Sequence, residues 1–252
     1  MRTGPIALTP HPAWMEELLK ELTPAFQRAC WPPLFAMTRD GQKPPLAHWR
    51  KGLAYFFPIV EAFPKYMGLS LSKTTYGRTR GDEAARAWLL ANLSLEARHL
   101  DWYIDWMAGA GLAPADVFKR APAPGIAALH QHLWEVCQRG TLAEGIMASN
   151  WAVEGITGVW TAAVADRFAA YAADGARIDA KSMMWLRAHA RYDDAHPLEA
   201  LELVKLTIGD AAAQREGVAR AARKTLELYY DAMRRAHQDV GEPQYAMQSS
   251  VL

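Results

Sequence analysis

Two histidines and an aspartate within residues 188–196 have a spacing that suits metal binding. On a helix of about 100° per residue, Asp193 lies about 40° from His189, and His196 lies about 20° from it on the other side. Asp194 is turned about 140° away from His189, so we expect it to orient a ligand rather than to bind metal. The flanking apolar pattern predicts that this stripe is buried, where a metal ion or hydrogen bonds must offset desolvation. Purely structural hydrogen bonding of these side chains is the alternative.

Pro197 follows the stripe directly. The apolar pattern predicts one helix over about 179–206 with this proline inside it. Proline has no backbone N–H and its ring crowds the preceding turn, so we expect a kink at this point. Kinks of this kind often accompany functional sites.

Two other segments supply residues of the same chemical type. Glu96 and His99 are three residues apart and share a helical face, as do the Glu-x-x-His units of helical di-metal proteins. Glu154 is the only acidic residue between Glu144 and Asp166, in an otherwise apolar stretch. A buried carboxylate there must be paired, protonated or bound to metal. For Glu96 and His99, a chance pair on an exposed surface is the alternative.

The three segments together provide six candidate metal ligands: Glu96, His99, Glu154, His189, Asp193 and His196. A mixed set of nitrogen and oxygen donors suits iron or manganese, whereas a structural zinc site more often uses cysteine. His189 and His196 would be about 10 Å apart along an ideal helix. Each can therefore serve a different ion of a pair about 3.5–4 Å apart.

Composition excludes several classes of protein. A net charge of +1 over 252 residues gives no sign of nucleic-acid binding. The two cysteines form no CxxC pair, which excludes a disulfide scaffold and a thiolate zinc site. No stretch resembles a signal peptide or reaches membrane-spanning length, so we expect a cytoplasmic protein without a membrane span. We expect a single domain over 1–252, with its core at about 10–238 and an irregular tail at 241–252.

Hydrophobic periodicity predicts an all-α protein of seven or eight helices without a sheet. Periodic stretches begin near residues 12, 46, 82, 141, 179 and 210. Thr141 and Glu144 have the form of a capping box and should open a long helix that reaches about residue 171. The helix from residue 46 is interrupted by Pro58 and Pro64. These helices must bring the candidate ligands together.

Three groups of residues resemble the haem-oxygenase-like di-iron oxidases, a family related in fold to the TenA and PqqC proteins. They are Glu96-x-x-His99, Asn150-x-x-x-Glu154-Gly155-x-x-Gly158-x-Trp160, and residues 185–202 around His189, Asp193 and His196. The similarity covers about residues 10–235. Within the family, the chain is similar to the UndA-type enzymes, which make terminal alkenes from medium-chain fatty acids.

The resemblance implies a haem-oxygenase-like (TenA/PqqC-like) bundle, the six ligands, two Fe(II) ions per chain and O2 as co-substrate. It implies oxidative decarboxylation of a medium-chain fatty acid to a 1-alkene. An external electron donor can take part, and we expect a monomer or a homodimer. The expected walls of the substrate pocket are Phe57, Glu61, Trp151, Trp160 and Tyr192.

Three alternatives stay open at this point. The same di-iron site can oxidise another amphiphile. A metal-free TenA- or PqqC-like enzyme of cofactor metabolism is the second alternative, with Cys137 as its candidate nucleophile. A non-catalytic protein on this fold is the third, and it is disfavoured because a buried polar cluster is costly without a task.

Overall fold

A computed structural model describes residues 6–192, 195–208 and 212–238. All regular structure in this part of the chain is helical, which confirms the predicted all-α class. The ten helices are α1 (Ala13–Cys30), α2 (Pro33–Arg39), α3 (Leu46–Leu71), α4 (Arg80–Gly109), α5 (Pro114–Phe118), α6 (Pro124–Arg139), α7 (142–168), α8 (Met184–Tyr192), α9 (His196–Thr207) and α10 (Ala212–Gln238).

The helices outnumber the seven or eight expected because proline-rich stretches begin helices rather than only separating them. Pro33, Pro114 and Pro124 each occupy the first turn of a helix, α2, α5 and α6 respectively. In a first turn the missing N–H of proline has no intrahelical partner to lose, and its fixed φ suits the helix. Proline density alone therefore did not distinguish a connection from a helix start.

Helix α3 runs without a break through Pro58 and Pro64. Its buried face includes Trp49, Leu53 and Phe56. Each internal proline deletes one helical hydrogen bond, which loosens α3 locally without ending it. Packing against α4 and α6 holds the helix in place.

Helix α7 contains an unusual central segment. It starts as an α-helix (Leu142–Ile146) with the predicted capping box, in which Thr141 and Glu144 hydrogen-bond to each other's backbone N–H. A π-helical segment (Met147–Val153) follows, and α-helix resumes over Glu154–Phe168. A 3-10 turn (Ala169–Asp174) extends α7. Because π turns are wider and rare, they often mark functional sites.

The predicted single helix over 179–206 is two helices, α8 and α9. Pro197 lies at the second position of α9, with Ala195 as its N-cap. A proline in the first turn breaks no helical hydrogen bond, so the expectation of a mid-helix kink was wrong. Asp193 and Asp194 lie between the two helices and outside the described residues.

The core is one continuous cluster of buried apolar side chains. Helix α8 packs on α7, α9 packs on α4 and on the π segment, and α10 closes the bundle against α1 and α6. Residues before α1 are fixed to α9: Thr9 donates from its N–H and its hydroxyl to the Glu202 carboxylate, each at 2.8 Å. No helix in the described ranges is long and apolar enough to span a membrane.

We predict that Asp82→Asn destabilises the start of α4. The Asp82 carboxylate accepts hydrogen bonds from Arg78 at 2.6 Å and from the Thr79 hydroxyl at 2.6 Å, and Thr79 caps the helix by accepting the Asp82 N–H. The Arg78 guanidinium is the main reason that the pKa of Asp82 falls to about 2. Because Arg78 is exposed, the expected cost is about 1–2 kcal/mol at neutral pH.

The sign of the pH dependence follows from the depressed pKa. Asp82 stabilises the fold above the ordinary aspartate pKa of about 3.9, and this contribution is lost as the pH falls toward the folded-state pKa. Urea unfolding of wild type and Asp82→Asn at neutral and acidic pH measures it. A stability difference between the two proteins that stays constant down to about pH 2 would contradict this account.

Candidate metal centre

Five of the six predicted ligands lie within the described residues, and the fold brings them together. Helix α4 carries Glu96 and His99, α7 carries Glu154, α8 carries His189, and α9 begins with His196. The first four are buried, with 5–7% of each residue exposed. One oxygen each of Glu96 and Glu154 and one nitrogen of His196 all lie within 4.8 Å of one another.

Glu96 and His99 form one side of the cluster. His99 Nδ1 lies 2.9 Å from Glu96 Oε2, without the geometry of a hydrogen bond. Glu96 Oε1 is buried and has no hydrogen-bond partner among the described residues. The His99 ring lies 4.6 Å from the ring of His189, centroid to centroid. A buried carboxylate oxygen without a donor is costly, and a cation would satisfy it.

Glu154 lies close to both Glu96 and His196 in the cluster. Its Oε2 accepts a hydrogen bond from Asn150 Nδ2 at 3.0 Å, and its Oε1 lies 3.5 Å from His196 Nδ1. Burial raises the pKa of Glu154, and the Glu96 carboxylate adds to this rise against the opposing effects of His196 and Asn150. Burial lowers the pKa of His196, but Glu154, Glu96 and Glu199 outweigh it, so the net direction is upward.

His189 is held in the tautomer that metal binding requires. Its Nδ1 lies 2.8 Å from the Trp185 carbonyl oxygen, one helical turn earlier. A carbonyl can only accept, so the proton is on Nδ1 and the lone pair is on Nε2. Burial lowers the pKa of His189 well below its ordinary value, and the neighbouring imidazoles of His99 and His196 lower it further. A neutral imidazole with an anchored N–H is the usual state of a metal-binding histidine.

The cluster fits a metal centre by its chemistry. It combines carboxylate and imidazole donors, one unsatisfied carboxylate oxygen and one histidine with a fixed tautomer. This donor set suits iron or manganese. Asp193, the sixth predicted ligand, and Asp194, its predicted orienting neighbour, are outside the described residues, so both assignments stay predictions.

The π segment of α7 contributes a residue that periodicity did not single out. Asn150 lies on this segment, is fully buried and donates to Glu154. Ser149 lies 3.0 Å from Asn150 Oδ1 and hydrogen-bonds to the Gly145 carbonyl at 2.8 Å. Buried Asn and Ser next to a lone carboxylate were visible in the sequence, but an α-helical wheel misplaces residues across a π turn.

An apolar cavity of about 30 Å³ lies beside four of the donors, Glu96, His99, Glu154 and His189. Its other lining residues come from α3, α7 and α8: Phe56, Ile59, Val60, Phe63, Val153, Thr157 and Trp185. This volume has room for a water molecule, which needs about 10–15 Å³, but is far below the roughly 300–1,000 Å³ of a small-molecule pocket. Any larger substrate therefore requires side chains of the cavity wall to move.

Four of the five residues predicted to line the substrate pocket, namely Phe57, Glu61, Trp151 and Trp160, lie outside this cavity. Phe57 and Glu61 face a separate outer cleft of about 660 Å³ on the other side of α3, and Glu61 pairs with Lys65. Trp151 packs against Phe26 with ring centroids 5.4 Å apart.

Trp160 is a core residue behind the cavity. It stacks on Phe35 at 4.1 Å and donates its indole N–H to the Tyr229 hydroxyl at 2.9 Å. The side chain of Tyr192 lies outside the described part of the structure. The cavity wall on α3 instead uses Phe56 and Val60.

Comparisons with solved structures place the chain in a fold group. A TenA homolog from Pseudomonas syringae pv. tomato str. DC3000 is 32% identical, with a TM-score of 0.82 over 93% of this chain and 100% of that one. A domain of unknown function with a heme oxygenase-like fold from Shewanella denitrificans OS217 is 16% identical, with a TM-score of 0.71 over 90% and 93%. These likenesses confirm the predicted haem-oxygenase-like, TenA-like bundle.

A third neighbour carries a functional description of its own. A putative TenA-like thiaminase from Sulfolobus solfataricus P2 is 12% identical, with a TM-score of 0.60 over 88% of this chain and 96% of that one. At this identity the likeness concerns the fold alone. No curated protein sequence matches the chain significantly. The profile of a family described as "iron-containing redox enzyme" matches residues 50–230, a span that holds all six predicted ligands, and the chain belongs to that family.

Proposed function

We propose that this protein is a non-haem di-iron oxidase that uses O2, and that its substrate is a medium-chain fatty acid converted to a 1-alkene. The observation that carries the proposal is the convergence of Glu96, Glu154 and His196, from three helices, within 4.8 Å. His99 and His189 lie against the same cavity. The family description of iron-containing redox enzymes supports the choice of iron over manganese.

Iron bound here would supply the redox chemistry that activates O2, which amino-acid side chains alone do not provide. Glu96, His99, Glu154, His189 and His196 would hold it, with Asp193 as the predicted sixth ligand. Two ions per chain would share these ligands.

The protein's own groups position the ligands. Asn150 fixes the Glu154 carboxylate through its amide, and the Trp185 carbonyl fixes the His189 ring. Partners of this kind are expected to affect metal affinity by about 10–100-fold, because they preset ligand orientation. The apolar side chains of the cavity wall would limit the access of bulk water, which protects reactive species from side reactions.

An apolar chain with one polar end suits this surrounding better than a multiply charged molecule. The cavity wall on α3 is made of Phe56, Val60 and similar side chains, so each buried CH2 of a fatty acid would contribute about 0.8 kcal/mol. Substrate binding must enlarge the cavity. Pro58 and Pro64 loosen α3 at this wall, because the backbone carbonyls one turn before them lack helical donors.

The metal-free alternative is favoured by the descriptions of the solved neighbours, most of which are TenA homologues. It would need a nucleophile, and Cys137 is the sequence's candidate. Cys137 is fully buried, its Sγ contacts the Gly145 carbonyl at 3.9 Å, and burial raises its pKa to about 11. The thiolate is the reactive form of cysteine, so these surroundings keep Cys137 unreactive. This contrast favours the di-iron proposal.

We predict that the Fe(II)-loaded protein and O2 convert a fatty acid of about ten to fourteen carbons to the terminal alkene one carbon shorter, since apolar burial rewards chain length. Headspace gas chromatography detects the alkene, with the metal-free protein as a control. Cys137→Ala should keep the activity, because the thiol lies outside the proposed chemistry.

Two outcomes would count against the proposal. Hydrolysis of a thiamin-type substrate by the metal-free protein, abolished in Cys137→Ala, would establish the TenA-like alternative. If an iron-loaded protein instead consumes O2 with another amphiphile and leaves fatty acids unchanged, the fatty-acid assignment is wrong and the oxidase class stands.

A further inference from the structure

A line of aromatic side chains leads from the candidate metal centre toward the protein surface. The Trp185 ring lies 3.9 Å from that of His189, centroid to centroid, and Trp106 stacks on Trp185 at 5.2 Å with an interplanar angle of 17°. Trp49 lies 6.1 Å from Trp106, and its indole N–H donates to the Tyr171 hydroxyl at 3.0 Å. We call Trp185, Trp106, Trp49 and Tyr171 the aromatic line.

The outer end of the line lies directly beneath the surface. Tyr171 is itself 1% exposed, and Lys43 Nζ lies 5.3 Å above the centre of its ring. Lys43 is paired with Asp174 at 2.8 Å, and both side chains are more than 40% exposed. The Tyr171 hydroxyl donates to the Pro44 carbonyl. One side-chain layer therefore separates the last ring from solvent.

Two members of the line differ from ordinary core tryptophans. The indole N–H groups of Trp106 and Trp185 are buried and have no hydrogen-bond partner among the described residues. Buried tryptophans usually find such a partner, as Trp160 does with Tyr229. An unmade hydrogen bond of this kind costs about 1–3 kcal/mol. Packing alone explains the stacked rings but not this cost.

The missing partners have a chemical consequence. An indole ring that loses one electron becomes strongly acidic at its N–H and normally gives that proton to a neighbouring acceptor. Within the described part of the chain neither Trp106 nor Trp185 has such an acceptor, so an oxidised ring would keep its proton and regain its electron without any proton movement. The faces of neighbouring rings also stabilise the positive charge during that time.

We infer that the aromatic line carries single electrons between the surface at Tyr171 and the candidate metal centre. In each step one electron moves from a tryptophan ring to the oxidised ring next to it, and the indole proton stays in place. Tyr171 links Trp49 to the surface through its hydrogen bond with the indole N–H and is itself not oxidised, so no phenolic proton moves. The electron enters from a one-electron reductant at the surface, such as ascorbate or a reduced iron–sulfur protein. The contacts between successive rings are short, and electron transfer rates fall steeply with distance.

This inference rests on the proposed function, whose electron balance requires such a route. Oxidative decarboxylation of a fatty acid to an alkene and CO2 releases two electrons, whereas full reduction of O2 to water consumes four. Two further electrons must reach a centre that is buried among apolar side chains. The aromatic line supplies a route from outside without admitting the reductant or water.

A photochemical experiment tests the line without any iron. Cys30 and Cys137 are fully buried, so a ruthenium photo-oxidant can be attached selectively through the Lys43→Cys substitution. Flash oxidation of the label should produce tryptophan radicals, seen by transient absorption. The radical yield should fall several-fold in Trp49→Phe and in Tyr171→Phe. Trp134→Phe is the matched control and should leave it unchanged, because Trp134 contacts Tyr66 and His130 and none of the line.

Equal radical yields in the parent protein and in both substituted proteins, with circular dichroism confirming the fold, would overturn the inference. Tyr171→Phe keeps the test valid if Trp49→Phe fails to fold, since it retains the ring and removes only one hydroxyl.

A second measurement uses the iron-loaded protein exposed to O2 without substrate. Peptide mass spectrometry should find oxidised indoles at Trp185 and Trp106. Added ascorbate should suppress this oxidation in the wild-type protein. In Trp106→Phe, ascorbate should no longer suppress the oxidation of Trp185, because the line is interrupted. If ascorbate suppresses the oxidation of Trp185 equally in wild type and in Trp106→Phe, the inferred electron route is wrong. A protein that binds no iron but passes the photochemical test would refute the proposed function and leave the line intact.

Discussion

Replacing Glu154 by glutamine will lower iron binding from about two Fe(II) per chain to one or fewer, and any iron that still binds will do so at least about 100-fold more weakly. Glutamine keeps the size of the side chain and an oxygen that Asn150 can still hold at Oε2. It removes the negative charge that joins Glu96 and His196 in the cluster. Iron content after anaerobic loading, measured by a colorimetric chelator assay, gives the result.

Glu202→Gln is the matched control for this substitution. Glu202 is equally buried, but its carboxylate binds Thr9 and Lys205 and takes no part in the cluster. It should lose stability and keep its iron. Full iron loading of Glu154→Gln would show that Glu154 is not a metal ligand. Equal iron loss in Glu154→Gln and Glu202→Gln would show that the loss follows from a destabilised fold and not from a missing ligand.

A methyl group added at Gly81 will destabilise the protein by about 1–3 kcal/mol or more, because the backbones of two helices meet there. Gly81 lies in the first turn of α4, and an alanine Cβ would come within 2.8 Å of the Leu206 carbonyl carbon and closer to its oxygen. The atoms in the way are backbone, so α4 and α9 must move apart. These helices carry Glu96 and His196.

Gly68→Ala provides the opposite expectation. Gly68 lies inside α3, and a Cβ there meets no atom within 4 Å. Alanine favours helix over glycine by about 0.8–1 kcal/mol, so this substitution should stabilise the fold. Chemical denaturation of both variants compares the two effects. A stable Gly81→Ala protein would show that the α4–α9 contact adjusts without cost.

Some features of this protein follow from its sequence alone. The 3.6-residue periodicity predicted the helical class, and the Thr141–Glu144 pair predicted a helix start that the structure has. The three-residue spacing of Glu96 and His99 placed them on one face, because that geometry is local to a helix. Such properties depend only on neighbours along the chain.

The tertiary structure decided which buried face lines the cavity. Both Phe56 and Phe57 are aromatic residues of α3, but only Phe56 lines the cavity beside the candidate ligands, and Phe57 faces the outer cleft. Periodicity shows that a face is apolar and does not show what packs against it. The packing of α7 and α8 on one side of α3, and of α5 and α6 on the other, made the distinction.

The tertiary structure also decided how Glu154 and His196 meet. The π segment over Met147–Val153 changes the rotation of α7 just before Glu154, and the break before α9 frees His196 from the direction of α8. A helical wheel assumes constant rotation per residue, so neither event can be read from spacing. Burial against the bundle stabilises both irregularities, since the packing of several helices outweighs the preference of one segment for regular α-helix.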